Sequence, residues 1–383
     1  MGPLAGVKVI EIAAIGPAPF CAMLLADLGA DVIRVDRASG RAEDRAPRDP
    51  MLRNRRSIAL DLKNPAAIAA LFGLVARSEI LIEGFRPGVM ERLGLGPEPC
   101  LQRNPRLVYG RMTGWGQDGP LAAAAGHDIN YIALAGVLHQ IGPPGGKPIP
   151  PLNLVGDFGG GGMLLAFGLL AALLEARQSG RGQIVDAAMV DGAATLMAMF
   201  FGLKARGMFR DATGENFLAG GAPYYDTYRT KDGKYIAIGS LEPQFFAELL
   251  EKLGLDRERY RKLGFPTVDP ATEGWRELRE AIAAAVITRT RDEWCRIMEG
   301  TDVCFAPVLS LEDATTHRHN VARGTFINVD GVHQGAPAPR FSRTAAEPVR
   351  KPRHAGEDTD AVLSEAGLSA KEIEQLRCSG ALT

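Results

Sequence analysis

Short apolar runs alternate with longer stretches of helical periodicity through the first two hundred residues. Residues 7–12 (VKVIEI), 31–35 (DVIRV), 57–62, 79–83, 106–112 and 183–186 are dense in Val, Ile and Leu and read as strands. Between them, 17–28 and 65–76 each open on a proline and continue in Ala and Leu, the signature of a helix. Strands that are apolar on both faces and alternate with helices predict a parallel, doubly wound sheet covered on both sides. From about Tyr224 the pattern changes. Two β-rich runs, 225–230 and 235–238, flank Lys231-Asp232-Gly233-Lys234, and an Asp-Gly turn in that setting predicts a hairpin. Amphipathic helices over 243–253, 275–285 and 291–298 and a strand over 303–309 complete a smaller α+β region. Residues 331–340 and the Pro/Arg-rich 348–354 read as extended or loop, and two short helices follow over 358–365 and 370–376.

A chain of 383 residues is long enough for two domains. Its 46% hydrophobic and 23% charged residues are those of a globular protein. A formal net charge of -1 gives no global field for nucleic acid or an anionic membrane, so no nucleic-acid or membrane partner is expected. The apolar run 163–174 is about a dozen residues, shorter than a bilayer-spanning helix. No basic region followed by an apolar one opens the sequence, and its last residues are not an SKL-type address. The five cysteines are scattered without a CxxC, as in a chain of reduced thiols. Together these predict a cytoplasmic protein.

The first β–α turn, Ala13 to Pro19, lacks GxGxxG, so the usual dinucleotide fingerprint is missing. His317 and His319 form an H-x-H pair, but no third ligand is spaced for a metal. No cofactor and no metal are therefore expected. Two glycine-flanked segments stand out instead. Gly126-His127-Asp128-Ile129-Asn130-Tyr131 offers a histidine, and Pro151 to Gly162 (PLNLVGDFGGGG) offers Asp157. A histidine titrates near neutrality, and a carboxyl group whose pKa is raised by burial or by a like charge can hold a proton for part of a cycle. Such a pair suits proton transfer or acyl transfer. Gly159 to Gly162 read as the opening of a helix after Asp157, serving either as backbone donors to a ligand or as a close-packing surface. Met163, Met189 and Met197 suit an adaptable pocket and core packing equally.

Several longer stretches carry a family likeness: GHDINYIALAGVL, PLNLVGDFGGGG, GRGQIVDAAMVDG, GGAPYYDTYRTKDGKYIAIGSLEPQFF and TDVCFAPVLSLEDA. With the opening VIEIAAIGPAPFCAMLLADLGADVIRVDR and the central RRSIALDLKNP, they resemble the α-methylacyl-CoA racemases of the family III CoA-transferase superfamily. The likeness runs from about residue 4 to residue 377. It implies an α/β fold with a large Rossmann-like CoA-binding domain (1–210), a small α+β domain (222–315) and a C-terminal segment (325–383) returning to the large domain. It also implies an interlocked homodimer with the active site at the interface. The activity implied is an isomerase reaction on 2-methylacyl-CoA, by two-base 1,1-proton transfer through an enolate. The family's catalytic pair falls on His127 and Asp157, and Glu242 of SLEP falls where the family orients the histidine.

CoA carries phosphates and an adenine, and cationic groups after successive strand ends suit it. The resemblance places Arg37, Leu60-Asp61-Leu62-Lys63, Arg86 and Arg92 along the CoA channel, and counts Gly126, Asp128, Ile129, Asn130 and Tyr131 among the acyl-CoA-binding residues. Asp128 reads as a local cap or ligand contact rather than a third base. Of Arg53, Arg55 and Arg56, at least two are expected to be solvated or paired. Two other functions compete. A family III CoA-transferase would use Asp157 as a nucleophile and form an acyl-aspartyl anhydride, and would have no need of His127. A non-catalytic acyl-CoA binding protein would need neither residue.

Overall fold

The structure is a computed structural model and describes residues 2–37, 48–265 and 273–382. The chain divides into two compact units, one of residues 1–135, 152–196 and 318–383 and one of residues 136–151 and 197–317.

The first unit is built on a six-stranded sheet of order β3-β2-β1-β4-β5-β6, all neighbours parallel. In chain order its elements are β1 (Lys8–Ile12), α1 (Pro17–Asp27), β2 (Asp31–Arg37), β3 (Arg56–Leu60), α2 (Pro65–Val75), β4 (Ile80–Glu83), α3 (Val89–Arg92), α4 (Pro97–Arg103), β5 (Val108–Thr113) and α5 (Asp128–Leu134). A π-helix, Leu154–Met163, runs on into α6 (Leu164–Ser179), followed by β6 (Ile184–Ala188) and α7 (Met189–Leu196). Consecutive residues of β1 and β4 face opposite sides, and both sides are buried, which explains their unbroken apolar runs. Val9, Val32, Ile80 and Ile82 pack on one side with Ala18, Ala22 and Leu25 of α1 and Leu165 and Leu169 of α6. Ile10, Ile12, Ile33 and Leu81 pack on the other with Leu71 and Leu74 of α2. Strand order turns back between β1 and β4, and their carboxyl ends there make the crevice that such sheets use for ligands.

The second unit holds α8 (Ala198–Ala205), β7 (Tyr225–Arg229), β8 (Tyr235–Gly239), α9 (Pro243–Leu253), α10 (Arg257–Tyr260), α11 (Glu273–Val286), α12 (Arg291–Met298), β9 (Phe305–Pro307) and α13 (Leu311–Thr316). Its antiparallel sheet, β7-β8-β9, packs with α9, α11 and α12 around Tyr224, Phe246, Trp275 and Trp294.

The last residues belong to the first unit as α14 (Arg318–Arg323), β10 (Phe326–Val329), β11 (Val332–Gly335), α15 (Thr359–Glu365) and α16 (Ala370–Cys378). Val362, Leu363 and Leu382 are buried in the core on the α2 side of the sheet, each worth about 1.5–3 kcal/mol of apolar burial. Leu382 also forms an antiparallel bridge with Leu60.

Two expectations are corrected. Residues 332–335, expected as extended or loop without a partner, pair with 326–329 as an antiparallel hairpin, turned at Asp330-Gly331 with both residues at positive φ. The apolar run at 163–174 is part of a continuous helix of 26 residues, Leu154–Ser179, long and apolar enough by length and composition to cross a membrane. Sequence periodicity missed its first ten residues because glycines dilute the apolar signal there.

Candidate active site

Asp157 lies in the π-helix, at the carboxyl edge of the parallel sheet. Its Oδ2 would stand 3.3 Å from a Cβ at Gly16, the residue that turns β1 into α1 at φ 72°. Glycine is required there twice, for its backbone conformation and for the approach of the carboxylate. Asn153, at the cap of the π-helix, donates its side-chain amide to Asp157 Oδ2 at 2.9 Å. The Asp157 N–H donates to Asp128 Oδ1 at 2.8 Å. Burial pushes the Asp157 carboxyl above its ordinary value; the Asn153 bond opposes this, repulsion from Asp128 adds to it, and His127 opposes it. π-Helical segments are uncommon and concentrate at functional positions.

His127 caps α5 in an extended conformation, its side chain exposed and its N–H donating to Asn130 Oδ1 at 3.0 Å. Its attraction on Asp157 places the two side chains in one electrostatic neighbourhood. Tyr131 is buried one turn on, stacked edge-on against Trp115 with centroids 4.7 Å apart. Gly126 permits this, since a Cβ there would be 2.7 Å from the Tyr131 ring. Burial raises the Tyr131 hydroxyl, with Asp157 raising it further and Arg86 lowering it. Ile129 is exposed beside it.

Asp128, expected as a cap or ligand contact, is buried, with its carboxyl group committed to the Asp157 backbone instead of to solvent. The glycines 159–162 do not open a helix, because the helix begins five residues earlier, at Leu154. They form its interior and pack on neighbours: a Cβ at Gly160 would be 2.6 Å from Ala193 N, and one at Gly162 2.7 Å from Pro17 O. Close packing on α1 and α7 is thus what these glycines provide. Met189 is buried in the core, whereas Met163 is exposed.

The cations gather along one edge. Arg37 ends β2, Lys63 follows β3 and Arg86 follows β4, and in a parallel sheet these strand ends lie on the same side; Arg92 ends α3 and brings its Nη1 to 3.2 Å from a Cβ placed at Gly88, in the loop after β4. All four are exposed, and among the described residues none forms an ion pair. Leu60 is buried, Leu62 is partly buried, and Asp61 turns the loop by accepting the Lys63 N–H at 3.0 Å. The Asp61 N–H donates to Ala381 O at 3.0 Å, so the chain's last residues brace this loop. The neighbouring arginines are structural. Arg53 pairs with Asp27, Arg55 with Glu11, and Arg56 with Asp31 and Glu365.

Glu242 lies in the second unit, extended and exposed, at the cap of α9. The thiol of Cys304 is raised by burial and then by Glu242, so the two are neighbours. Beside them an open cleft of about 480 Å³ lies on the small sheet, lined by Gly220, Tyr225, Ile238, Gly239, Cys304 and Phe305 among others. Among the described residues no group of three or more His, Cys, Asp or Glu is placed to hold a metal ion. His317 instead bonds Glu299 at 3.0 Å.

Sequence reasoning missed Asn153, Gly16, Gly156 and Trp115. Only Asn153 left a signal: an amide four residues before a carboxylate is a standard helix-face pair. Chemically, the site joins a raised carboxyl, a histidine and a phenol beside a row of cations that form no ion pair among the described residues. That arrangement can move protons on an anionic ligand.

Residues 4–359 match the sequence profile described as CoA-transferase family III. The chain is 46% identical to the α-methylacyl-CoA racemase of Mus musculus over 376 residues, covering 97% of this chain and 96% of that protein. It is 43% identical to the α-methylacyl-CoA racemase of Homo sapiens over 375 residues, with the same coverage. Among solved structures, a CAIB/BAIF family protein from Brucella suis superposes with a TM-score of 0.80 at 26% identity, covering 95% of this chain and 99% of that one.

Proposed function

The chain belongs to CoA-transferase family III, and from that membership and the geometry of its site we propose that it is an isomerase that racemises 2-methylacyl-CoA thioesters. The carrying observation is Asp157, raised by burial and tied through its N–H to Asp128, the residue next to His127, at the carboxyl edge of the sheet. One of the two groups takes the α-proton. The C–H electron pair moves into the thioester as an enolate, and the other group returns a proton to the opposite face. A raised carboxyl serves this cycle because it can be proton acceptor in one direction and donor in the other. Arg37, Lys63, Arg86 and Arg92 neutralise the CoA phosphates. The identities of 46% and 43% to α-methylacyl-CoA racemases support the substrate class.

The active form in this reading is a homodimer. Its support is an apolar stripe along the 26-residue helix: Met163, Phe167 and Leu174 lie on one helical face and are 53%, 71% and 61% exposed in the single chain. A second copy covers that stripe, and Glu242 of one chain orients the partner's His127. The location is cytoplasmic.

The test is solvent exchange. Incubation of (R)- or (S)-2-methylacyl-CoA in D₂O should replace the α-proton and give both enantiomers. His127→Ala and Asp157→Ala should each lower turnover by about 10²–10⁴-fold, the range for loss of a general base. A covalent acyl or CoA adduct on Asp157, in an enzyme indifferent to loss of His127, would replace this reading with nucleophilic CoA transfer.

A further inference from the structure

Asp128 stands next to His127 in the chain but turns its carboxyl group away from solvent, leaving the residue 5% exposed. Its Oδ1 accepts the Asp157 N–H at 2.8 Å, across 29 residues of sequence. Its Oδ2 is buried without a hydrogen-bond partner among the described residues. The approach depends on Gly156, where a Cβ would stand 2.5 Å from Asp128 Oδ1 and 3.0 Å from its Cγ. One bond thus ties α5, which carries His127 at its cap, to the π-helix that carries Asp157.

We infer that Asp128 is a positioning residue for the proton transfer, fixing Asp157 by its backbone while setting a second carboxyl group beside the reacting one. The inference rests on the racemase reading. An asparagine or serine oxygen could accept the same N–H without a costly unpaired carboxyl oxygen. The carboxyl is explained by what it does to its neighbour. Repulsion from Asp128 acts with burial to raise Asp157. The remaining groups around Asp157 are accounted for. His127 and Tyr131 face it from α5, and Asn153 faces it from its own turn, with Arg86 acting on Tyr131. From α1 it meets Gly16, and α7 meets the π-helix through Gly192 and Ala193, none of which titrates.

Asp128→Asn keeps an oxygen for the Asp157 N–H and removes the charge; Asp128→Ala removes both. Each variant and the wild type are assayed for α-proton exchange from both enantiomers across pH, with thermal melts to verify folding. For the enantiomer from which Asp157 takes the proton, Asp128→Asn should move the acidic limb of kcat down by about half a pH unit or more. Asp128→Ala should lower kcat by about a hundredfold with KM for acyl-CoA little changed, as expected of a displaced base. An acidic limb unmoved in Asp128→Asn overturns the inference even if the alanine variant does not fold. A folded alanine variant of wild-type kcat overturns it as well. Absence of exchange in the wild type would instead overturn the racemase reading itself.

Discussion

Asn153 donates its side-chain amide to Asp157 Oδ2 at 2.9 Å, from four residues back, where the π-helix begins. A bond to a carboxylate favours its ionised form, so this contact opposes the upward push of burial on Asp157. Asn153→Ala should therefore raise Asp157 further. For the enantiomer deprotonated by Asp157, the acidic limb of the pH–rate profile should move to higher pH, opposite in sign to the shift expected for Asp128→Asn. An unchanged limb would show that the amide does not act on the carboxylate in solution.

Asp157 also has a stability signature. Its folded pKa lies above the ordinary 3.8, so between those two values the folded chain binds more protons than the unfolded one. Stability falls as pH rises through that window, and the penalty stands above it. Asp157→Asn, which carries no charge, should melt at higher temperature than wild type at pH 7. The gain should vanish below the ordinary carboxylate value. Calorimetry at pH 7 and in acid checks both parts.

Beneath the site, Glu11 and Arg55 form a fully buried pair at 2.5 Å. Burial raises the Glu11 carboxyl and lowers the Arg55 guanidinium, and each partner opposes the other's shift. Glu11→Gln leaves the buried guanidinium without its paired carboxylate and should cost about 3–5 kcal/mol in urea unfolding. Glu11→Met with Arg55→Met removes both charges and should cost less than the single change. A Glu11→Gln variant as stable as wild type would contradict the pairing.

Gly192 faces the backbone of Gly160 so closely that an added Cβ would meet Gly160 Cα at 2.7 Å. Gly192→Ala must push α7 off the π-helix, and overpacking of this kind costs about 1–3 kcal/mol. Because Asp157 rides on that helix, kcat should fall by more than KM for acyl-CoA rises. Denaturant melts and steady-state kinetics on one preparation test the two together. A variant with wild-type kinetics would separate the glycine contact from the position of Asp157.

Much of the first unit's sheet was legible because its strands are apolar on both faces. Runs such as VKVIEI and DVIRV appear as β1 and β2 within a residue or two of their expected ends. Capping chemistry was local too: Pro17 and Pro65 each stand at the first turn of a helix. The hairpin at 326–335 escaped notice because its strands are four residues each, too short for alternation to register.

The amino-acid sequence by itself determined the class of fold, the family, and the two motifs that carry His127 and Asp157, since these depend on residue type and spacing along the chain. Tertiary structure alone decided what surrounds them. Asp128 turns inward, Asn153 reaches Asp157, and the four glycines pack instead of opening a helix. Each of these is a contact of a few ångströms whose partner depends on helix register or on another segment of the chain. The stretch of sequence that separates Asp128 from Asp157, 29 positions on, carries no mark of it. The sheet sets where α5 and the π-helix converge, and only at that convergence do a carboxyl oxygen and a backbone N–H come within hydrogen-bond reach.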